Sequence, residues 1–132
     1  MAKKPVPKTR NNGLWTEARY NSFIKSLLRS GTSRWGPKQS CISEARVRRG
    51  VYRCELCKQE GPATLPPKKG NKRRIKNIVA DHIEPVIPVT GFTNWHDVIE
   101  RMFCEKDNFQ AICHACHTIK CAEEREERKK YK

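Results

Sequence analysis

Two pairs of cysteines with the same internal spacing limit what this chain can fold into more than any other feature. Cys54 and Cys57 form one C-x2-C pair, Cys113 and Cys116 form another, and 55 residues lie between the pairs. Two intervening residues allow both thiolates of a pair to reach one tetrahedral ion while the backbone turns, and four thiolates complete a closed structural zinc site. The spacing therefore predicts one structural Zn²⁺ that closes a long loop.

Two histidines beside the second pair leave one position of the ligand set open. His114 or His117 could replace one thiolate, and the spacing does not distinguish these sets from four cysteines. The other three cysteines stand alone in the sequence, and the expectation for an isolated cysteine is a small buried apolar residue. We therefore assign no role to Cys41, Cys104 and Cys121.

The composition indicates that apolar burial alone does not hold this fold together. The chain has 132 residues, of which 36% are hydrophobic, and its mean hydropathy is −0.83. That is one domain's worth of sequence with little material for a large core. Its seven cysteines occur without a recognisable secretory leader, so we expect an intracellular, reducing compartment. In that setting paired cysteines favour metal binding over disulfides.

The charge predicts a polyanionic partner. The chain carries 28 basic and 14 acidic residues, a formal net charge of +14. No lipid-anchor motif or bilayer-length apolar run is visible, so DNA is a better expectation than a membrane. One stretch holds six basic residues in nine positions without an acid: Lys68, Lys69, Lys72, Arg73, Arg74 and Lys76. We interpret it as a loop that binds DNA phosphates, the alternative being a solvated loop.

The chain divides into three segments by composition. Residues 1–13 are polar, basic and interrupted by proline and glycine, which predicts a flexible basic arm. Residues 14–49 have the apolar periodicity of accessory helices. Residues 50–132 contain both cysteine pairs and the basic loop, and are expected to form the functional domain.

The accessory segment predicts two helices. Thr16 is a suitable N-cap for a helix that ends at Gly31, and a second helix is expected from near Pro37 to about Gly50. The first helix carries one apolar stripe at helical spacing, formed by Tyr20, Phe23, Ile24, Leu27 and Leu28. We interpret it as a packing helix rather than a DNA-reading helix.

An acid and a histidine stand together in the stretch NIVADHIEPVIP, residues 77–88. Ile78 and Val79 predict the end of a strand, and the prolines that follow exclude regular structure soon afterwards. Asp81 and His82 are therefore expected where a strand gives way to a loop. Further along, the sequence predicts a helix near Trp95.

Downstream of that helix the sequence predicts a turn, a strand and a terminal helix. The turn is expected at Asp107 and Asn108, the strand in FQAI, and the charged helix from His114 or Ala115 to about Lys130. The order strand, loop, strand and helix would bring the acid–histidine pair close to the start of the terminal helix.

The stretches VADHIEP and DNFQAICHACHTIK resemble the HNH endonucleases of the ββα-metal superfamily. His82, Asn108 and His117 match the three residues that name the family, and a C-x2-C pair stands directly before the last histidine. The 25 residues between His82 and Asn108 exceed what compact members have, and hold the helix near Trp95. The resemblance predicts an α+β fold, with a zinc-stapled ββα-metal core and N-terminal accessory helices.

The resemblance also implies a role for each matching residue. Asp81 and His117 would bind a catalytic Mg²⁺ or Mn²⁺, and His82 would be the general base that activates water. Asn108 would tie together the two ends of the catalytic loop. The implied activity is metal-dependent hydrolysis of DNA phosphodiester bonds, by nicking or double-strand cleavage.

The same resemblance suggests a biological setting and leaves two alternatives. Small free-standing HNH proteins of tailed phages act in homing or genome packaging, which would place this chain in the host cytoplasm, as a monomer. The main alternative is a non-catalytic zinc-ribbon DNA-binding protein, against which the presence of Asp81, His82 and His117 counts. An RNA-binding or RNA-cleaving module is disfavoured because no aromatic platform for single strands is evident.

Overall fold

The computed structural model describes residues 3–131, which form four α-helices and nine short strands in four small antiparallel sheets. The helices are α1 (Glu17–Gly31), α2 (Gly36–Ala45), α3 (Trp95–Met102) and α4 (His114–Lys129). The strands are β1 (Lys8–Arg10), β2 (Trp15–Thr16), β3 (Arg46–Arg48), β4 (Val51–Arg53), β5 (Glu60–Pro62), β6 (Thr64–Leu65), β7 (Ile75–Lys76), β8 (Ile78–His82) and β9 (Phe109–Cys113). This confirms the α+β class. None of the helices in the described residues is both long and apolar enough to cross a bilayer.

The chain divides into two compact units between residues 33 and 34. In the first unit β1 and β2 form an antiparallel hairpin whose turn holds Asn11, Asn12 and Gly13 at positive φ. Asparagine and glycine adopt this left-handed conformation at low cost. The hairpin's first strand lies within the segment for which the sequence predicted a flexible arm, and the first two residues of that segment lie outside the described residues.

Helix α1 follows the hairpin with the bounds that the sequence predicted. The Thr16 hydroxyl accepts a hydrogen bond from the Arg19 amide at 3.2 Å, which is the expected N-cap contact. On the apolar stripe of this helix Phe23 and Leu27 remain 45% and 56% exposed. The helix is therefore confirmed, whereas complete burial of its stripe is not observed.

Helix α2 ends earlier than the sequence predicted. It stops at Ala45, and the next residues form β3, which pairs with β4 through Arg46 and Tyr52. Gly50, expected to end the helix, instead has φ +74° in the turn between these strands. Glycine serves helix ends and hairpin turns equally well, so the predicted boundary near residue 50 was wrong by about one helical turn.

The core of the second unit lies where α2 packs against the β8–β9 pair. Four buried residues form its centre: Cys41, Ile78, Phe109 and Ala111. The Trp35 indole contributes a hydrogen bond, donating from Nε1 to the Cys104 carbonyl oxygen at 2.7 Å. These contacts fix β8 and β9, the two strands from which the candidate site is built.

The helix expected near Trp95 is present as α3. The Asn94 side chain accepts a hydrogen bond from the Asp97 amide at 2.9 Å, and Val98 and Met102 are buried. The strand at β9 and the terminal helix α4 also lie where the sequence predicted them. Helix α4 starts at the residue after β9, so the end of this strand and the first helical turn are held close together.

Candidate functional site

The two cysteine pairs meet at one place in the fold. Cys54 and Cys57 lie in the turn after β4, Cys113 ends β9, and Cys116 lies in the first turn of α4. All four sulfur atoms lie within 4.8 Å of one another, and those of Cys57 and Cys113 are 3.9 Å apart. Thiolates that share one tetrahedral zinc at about 2.3 Å lie about 3.8 Å from each other. The four cysteines can therefore hold a metal ion, and four thiolates at this spacing suit zinc.

Neither neighbouring histidine belongs to this cysteine group. The Nε2 atom of His117 lies 3.8 Å from Oδ1 of Asp81, and the His114 amide donates to the Asn77 side-chain oxygen at 3.4 Å. Within residues 3–131 the four cysteines are the only group of three or more metal-ligating side chains that lie this close together. The ligand set that the spacing left open is thus composed of cysteines alone.

The four thiols influence one another's ionisation. Burial by itself raises the pKa of Cys54, but hydrogen bonds from the backbone amides of Cys57, Cys113 and Leu56 lower it to about 6. The neighbouring Cys113 thiol, followed by burial and the remaining cysteines, raises the pKa of Cys116 to about 12. One thiolate forms readily, and each further thiolate is opposed by those present. A divalent cation removes this opposition, because a coordinating thiol is deprotonated outright.

Glu55 fastens the first cysteine pair to the strand that carries the second. The Glu55 amide donates to the Ala111 carbonyl at 2.8 Å, and the Ala111 amide donates back to the Glu55 carboxylate. Ala111 is fully buried in the middle of β9, so this double contact is shielded from competing water. The cysteine group and the β8–β9 pair therefore form one mechanical unit.

Asp81 lies near the end of β8, and its carboxylate is contacted from three directions. Gln110 stands opposite it in the ladder and donates from Nε2 to Oδ2 at 3.1 Å. The Lys120 ammonium forms an ion pair with the same oxygen, and His117 faces Oδ1. The Asp81 side chain is only 13% exposed, so these partners determine its electrostatic surroundings.

The neighbouring His82 is oriented by different groups. Its Nε2 atom lies 2.9 Å from the carbonyl oxygen of Met102, at the end of α3. A carbonyl can only accept, so the ring proton belongs on Nε2 and the lone pair on Nδ1. The ring also packs on Phe109, its partner across the ladder, with ring centres 4.7 Å apart. The imidazole is thus held in one orientation and one tautomer.

Asn108 joins the two ends of the long loop between β8 and β9. Its side-chain oxygen accepts from the Glu84 amide at 3.1 Å, and its backbone oxygen accepts from the Ile83 amide at 2.9 Å. Its side-chain nitrogen points toward the Cys104 sulfur at 3.6 Å. The orienting contact on His82 comes from the Met102 carbonyl, whereas Asn108 fixes the backbone that follows this histidine.

Three groups at the site were missed by reasoning from the sequence. Lys120 stands three residues after His117, a spacing that places both on one face of a helix, and this was the available signal. Gln110 is identified only by the exact strand register, and the Met102 carbonyl only by the path of the long loop. Backbone acceptors and register partners leave no mark in residue type.

The basic stretch forms the loop between β6 and β7. One of its six residues, Arg74, donates from Nε to the Thr64 hydroxyl at 2.9 Å and so stabilises this hairpin. The other five are exposed: Lys68, Lys69, Lys72, Arg73 and Lys76. Arg74 therefore has a structural partner, which distinguishes it from the rest of the basic loop.

No protein-family model, curated protein or solved structure gives a significant match to this chain.

Proposed function

We propose that the chain is an HNH endonuclease that hydrolyses DNA phosphodiester bonds with one divalent cation. The observation that carries the proposal is the pairing of Asp81 with His117, 3.8 Å apart, directly beside an oriented His82. A cation-binding carboxylate and imidazole next to a neutral imidazole base are the groups that metal-dependent phosphodiester hydrolysis requires. The resemblance of the same residues to the HNH motif supports this reading.

The donor pair fits a small divalent cation. Two ligand atoms about 2.1 Å from one octahedral ion lie about 3 Å apart when adjacent and about 4.2 Å apart when opposite. The 3.8 Å between Asp81 Oδ1 and His117 Nε2 falls in this range. A carboxylate with one imidazole suits Mg²⁺ or Mn²⁺. When bound, the cation would neutralise charge on the phosphate and assist the leaving 3′ oxygen.

His82 would take the proton from the attacking water. Its lone pair is on Nδ1, because the Met102 carbonyl accepts the hydrogen on Nε2. That hydrogen bond strengthens as the imidazole becomes positively charged, so the carbonyl stabilises the protonated base. Asn108 holds the backbone directly after His82 through two hydrogen bonds, which limits drift of the base from its working position.

The cysteine group would act as a support. Four thiolates leave zinc without an open position, so a zinc ion held there cannot activate water. Glu55 links the turn of the first cysteine pair to β9. A zinc ion at the cysteines would therefore stabilise the strand that lies beside Asp81 and His82.

A zinc-stapled DNA-binding protein without catalysis is the second candidate. The observation that favours it is the ion pair between Lys120 and Asp81, which neutralises the proposed cation ligand as an ordinary structural ion pair would. Both candidates predict DNA binding and zinc. They differ in cleavage, which is therefore the property to measure.

Cleavage of supercoiled plasmid tests the proposed function. We expect conversion to nicked or linear DNA in Mg²⁺ or Mn²⁺, loss of cleavage under mild chelation that leaves the cysteine-bound zinc in place, and recovery when the cation is restored. Zinc content and circular dichroism, measured on the same samples, establish that the fold is intact. Folded, zinc-loaded protein that leaves plasmid uncut in both cations would support the non-catalytic candidate, and faster cutting of structured RNA would reassign the substrate.

DNA affinity is expected to fall steeply with salt through the exposed members of the basic loop. Each phosphate contact adds about 0.9 to the negative slope of log affinity against log salt. Replacing Lys72 and Arg73 by glutamine should therefore reduce the magnitude of that slope by about 1 to 2 in fluorescence anisotropy with duplex DNA.

The control for the basic loop is a pair of lysines on α4. Lys129 and Lys130 are exposed and each contacts an acid of its own helix, Glu126 at 3.0 Å and Glu127 at 3.2 Å. Changing both to glutamine removes the same formal charge from a different surface. Equal slopes for the two double variants would show that net charge, rather than the basic loop, governs binding.

A further inference from the structure

Lys120 lies in the candidate site and has no part in the mechanism described so far. Its ammonium contacts the Asp81 carboxylate, the His82 carbonyl oxygen at 2.5 Å and the Glu124 carboxylate at 3.2 Å. An ammonium has three donors, so these three oxygens match its full capacity. The lysine side chain is 19% exposed. It is therefore a largely shielded cation placed against the carboxylate that is proposed to bind a divalent cation.

The charge of Lys120 is maintained by its neighbours. Burial alone would lower the pKa of this lysine, but the hydrogen bonds and charges of Asp81 and Glu124 raise it above its ordinary value. The ammonium occupies Oδ2 of Asp81, whereas His117 faces Oδ1 of the same group. A divalent ion at Oδ1 would stand close to this positive charge with little water between them, and like charges at short range repel strongly.

We propose that Lys120 is the resident counter-ion of Asp81, which the divalent cation must displace, and that the displaced ammonium then pairs with a DNA phosphate. This rests on the proposed nuclease function for its DNA step, whereas competition for Asp81 concerns the protein and the cation alone. It makes Lys120 a positioning residue that couples the two binding events. Cation and DNA then bind better together than separately, because the phosphate compensates the lysine for the lost carboxylate.

The coupling has a sign that an ordinary structural ion pair does not produce. Without Lys120, the cation meets no competitor, so its affinity for the DNA-free protein rises. The gain in cation affinity on adding DNA shrinks, because the ammonium that linked the two is absent. By thermodynamic reciprocity, the cation then also improves DNA affinity by a smaller factor. A lysine that merely holds α4 against β8 would show none of these changes.

The test is Mn²⁺ binding to the zinc-loaded full chain, followed by electron paramagnetic resonance. We expect Lys120→Met to bind Mn²⁺ about tenfold more tightly than the unmodified chain, as loss of one charged hydrogen bond implies. Lys120→Arg, which keeps the charge, should remain near the unmodified value. Lys129→Met removes one charge from the same helix at a residue paired with Glu126, and should leave Mn²⁺ affinity unchanged.

The DNA arm repeats the titration with a short duplex in a His82→Ala background, so that the duplex stays intact. The ratio of Mn²⁺ affinities with and without duplex should be several-fold smaller for Lys120→Met than for the parent. If Lys120→Met does not fold, as judged by thermal melting, Lys120→Gln retains hydrogen-bond donors and should change Mn²⁺ affinity in the same direction.

The outcomes separate this inference from the proposed function. Folded Lys120→Met or Lys120→Gln that binds Mn²⁺ no more tightly than the unmodified chain overturns the inference, whether or not plasmid is cleaved. Tighter binding that Asp81→Asn abolishes supports it. If tighter binding is observed while plasmid remains uncut in Mg²⁺ and Mn²⁺, the nuclease function fails and competition at Asp81 stands.

Discussion

Replacing His82 by alanine is expected to slow cleavage of supercoiled DNA by a factor of about 10² to 10⁴, the usual contribution of a general base. The Met102 carbonyl fixes the proton on Nε2, so Nδ1 is the atom that accepts the proton from water. Alanine removes this acceptor and leaves the Asp81–His117 pair in place. Single-turnover cleavage across a Mg²⁺ titration should therefore show a lower maximal rate without a large shift in the Mg²⁺ midpoint.

The matched control for this variant is another histidine in the same domain. His96 lies on the exposed side of α3, so His96→Ala makes the same chemical change away from the site. It should cleave at the unmodified rate. DNA affinity should be preserved in both variants. If His82→Ala cuts as fast as His96→Ala, His82 is not the base and the proposed mechanism is wrong.

Replacing Cys113 by serine is expected to remove zinc and much of the stability of the second unit. Structural zinc contributes an apparent binding free energy of about 10 to 16 kcal/mol in small zinc domains, comparable to or larger than the about 5 to 15 kcal/mol stability of a typical protein. Elemental analysis should find about one zinc per unmodified chain and far less in the variant. The melting temperature should fall by more than about 10 °C, since each kcal/mol is worth several degrees in a chain of this size.

A second cysteine on α4 provides the comparison. Cys121 lies outside the four-cysteine group, with its sulfur 3.6 Å from His117 Nε2. Cys121→Ser should keep its zinc and melt near the unmodified temperature. Unmodified protein that contains no zinc when purified without added metal, and melts no differently from Cys113→Ser, would refute a structural metal at this site.

Local patterns predicted the parts of this fold that depend on local chemistry. The cysteine spacing identified the four-cysteine group, and the capping residues Thr16 and Asn94 marked two helix starts correctly. The end of α2 was mispredicted at Gly50 because the same residue type ends helices and closes hairpin turns. The pairing of β3 with β4 decided between the two uses, and pairing is a property of the folded chain.

The candidate site shows the same division. Asp81 and His117 are brought together in the structure, and this was expected from the order of strand and helix. Their neighbour Lys120 was not expected, because a lysine in a helix rich in charged residues has many possible partners and only tertiary packing selects Asp81. The partner of Arg74 was hidden for a similar reason, since Thr64 is reached only once β6 and β7 pair.

The loop between β8 and β9 has consequences for anyone who wishes to redesign this protein. Asn108 pins its two ends, so doubling its length would cost only about 0.6 kcal/mol of closure entropy. Yet the loop also supplies the Met102 carbonyl that orients His82, so the whole segment cannot be exchanged freely. A new recognition module is best grafted at the turn around Gly91, where the amide bonds only to the Pro88 carbonyl three residues before it. The loop is thus an extensible insertion point with one fixed anchor for the active site.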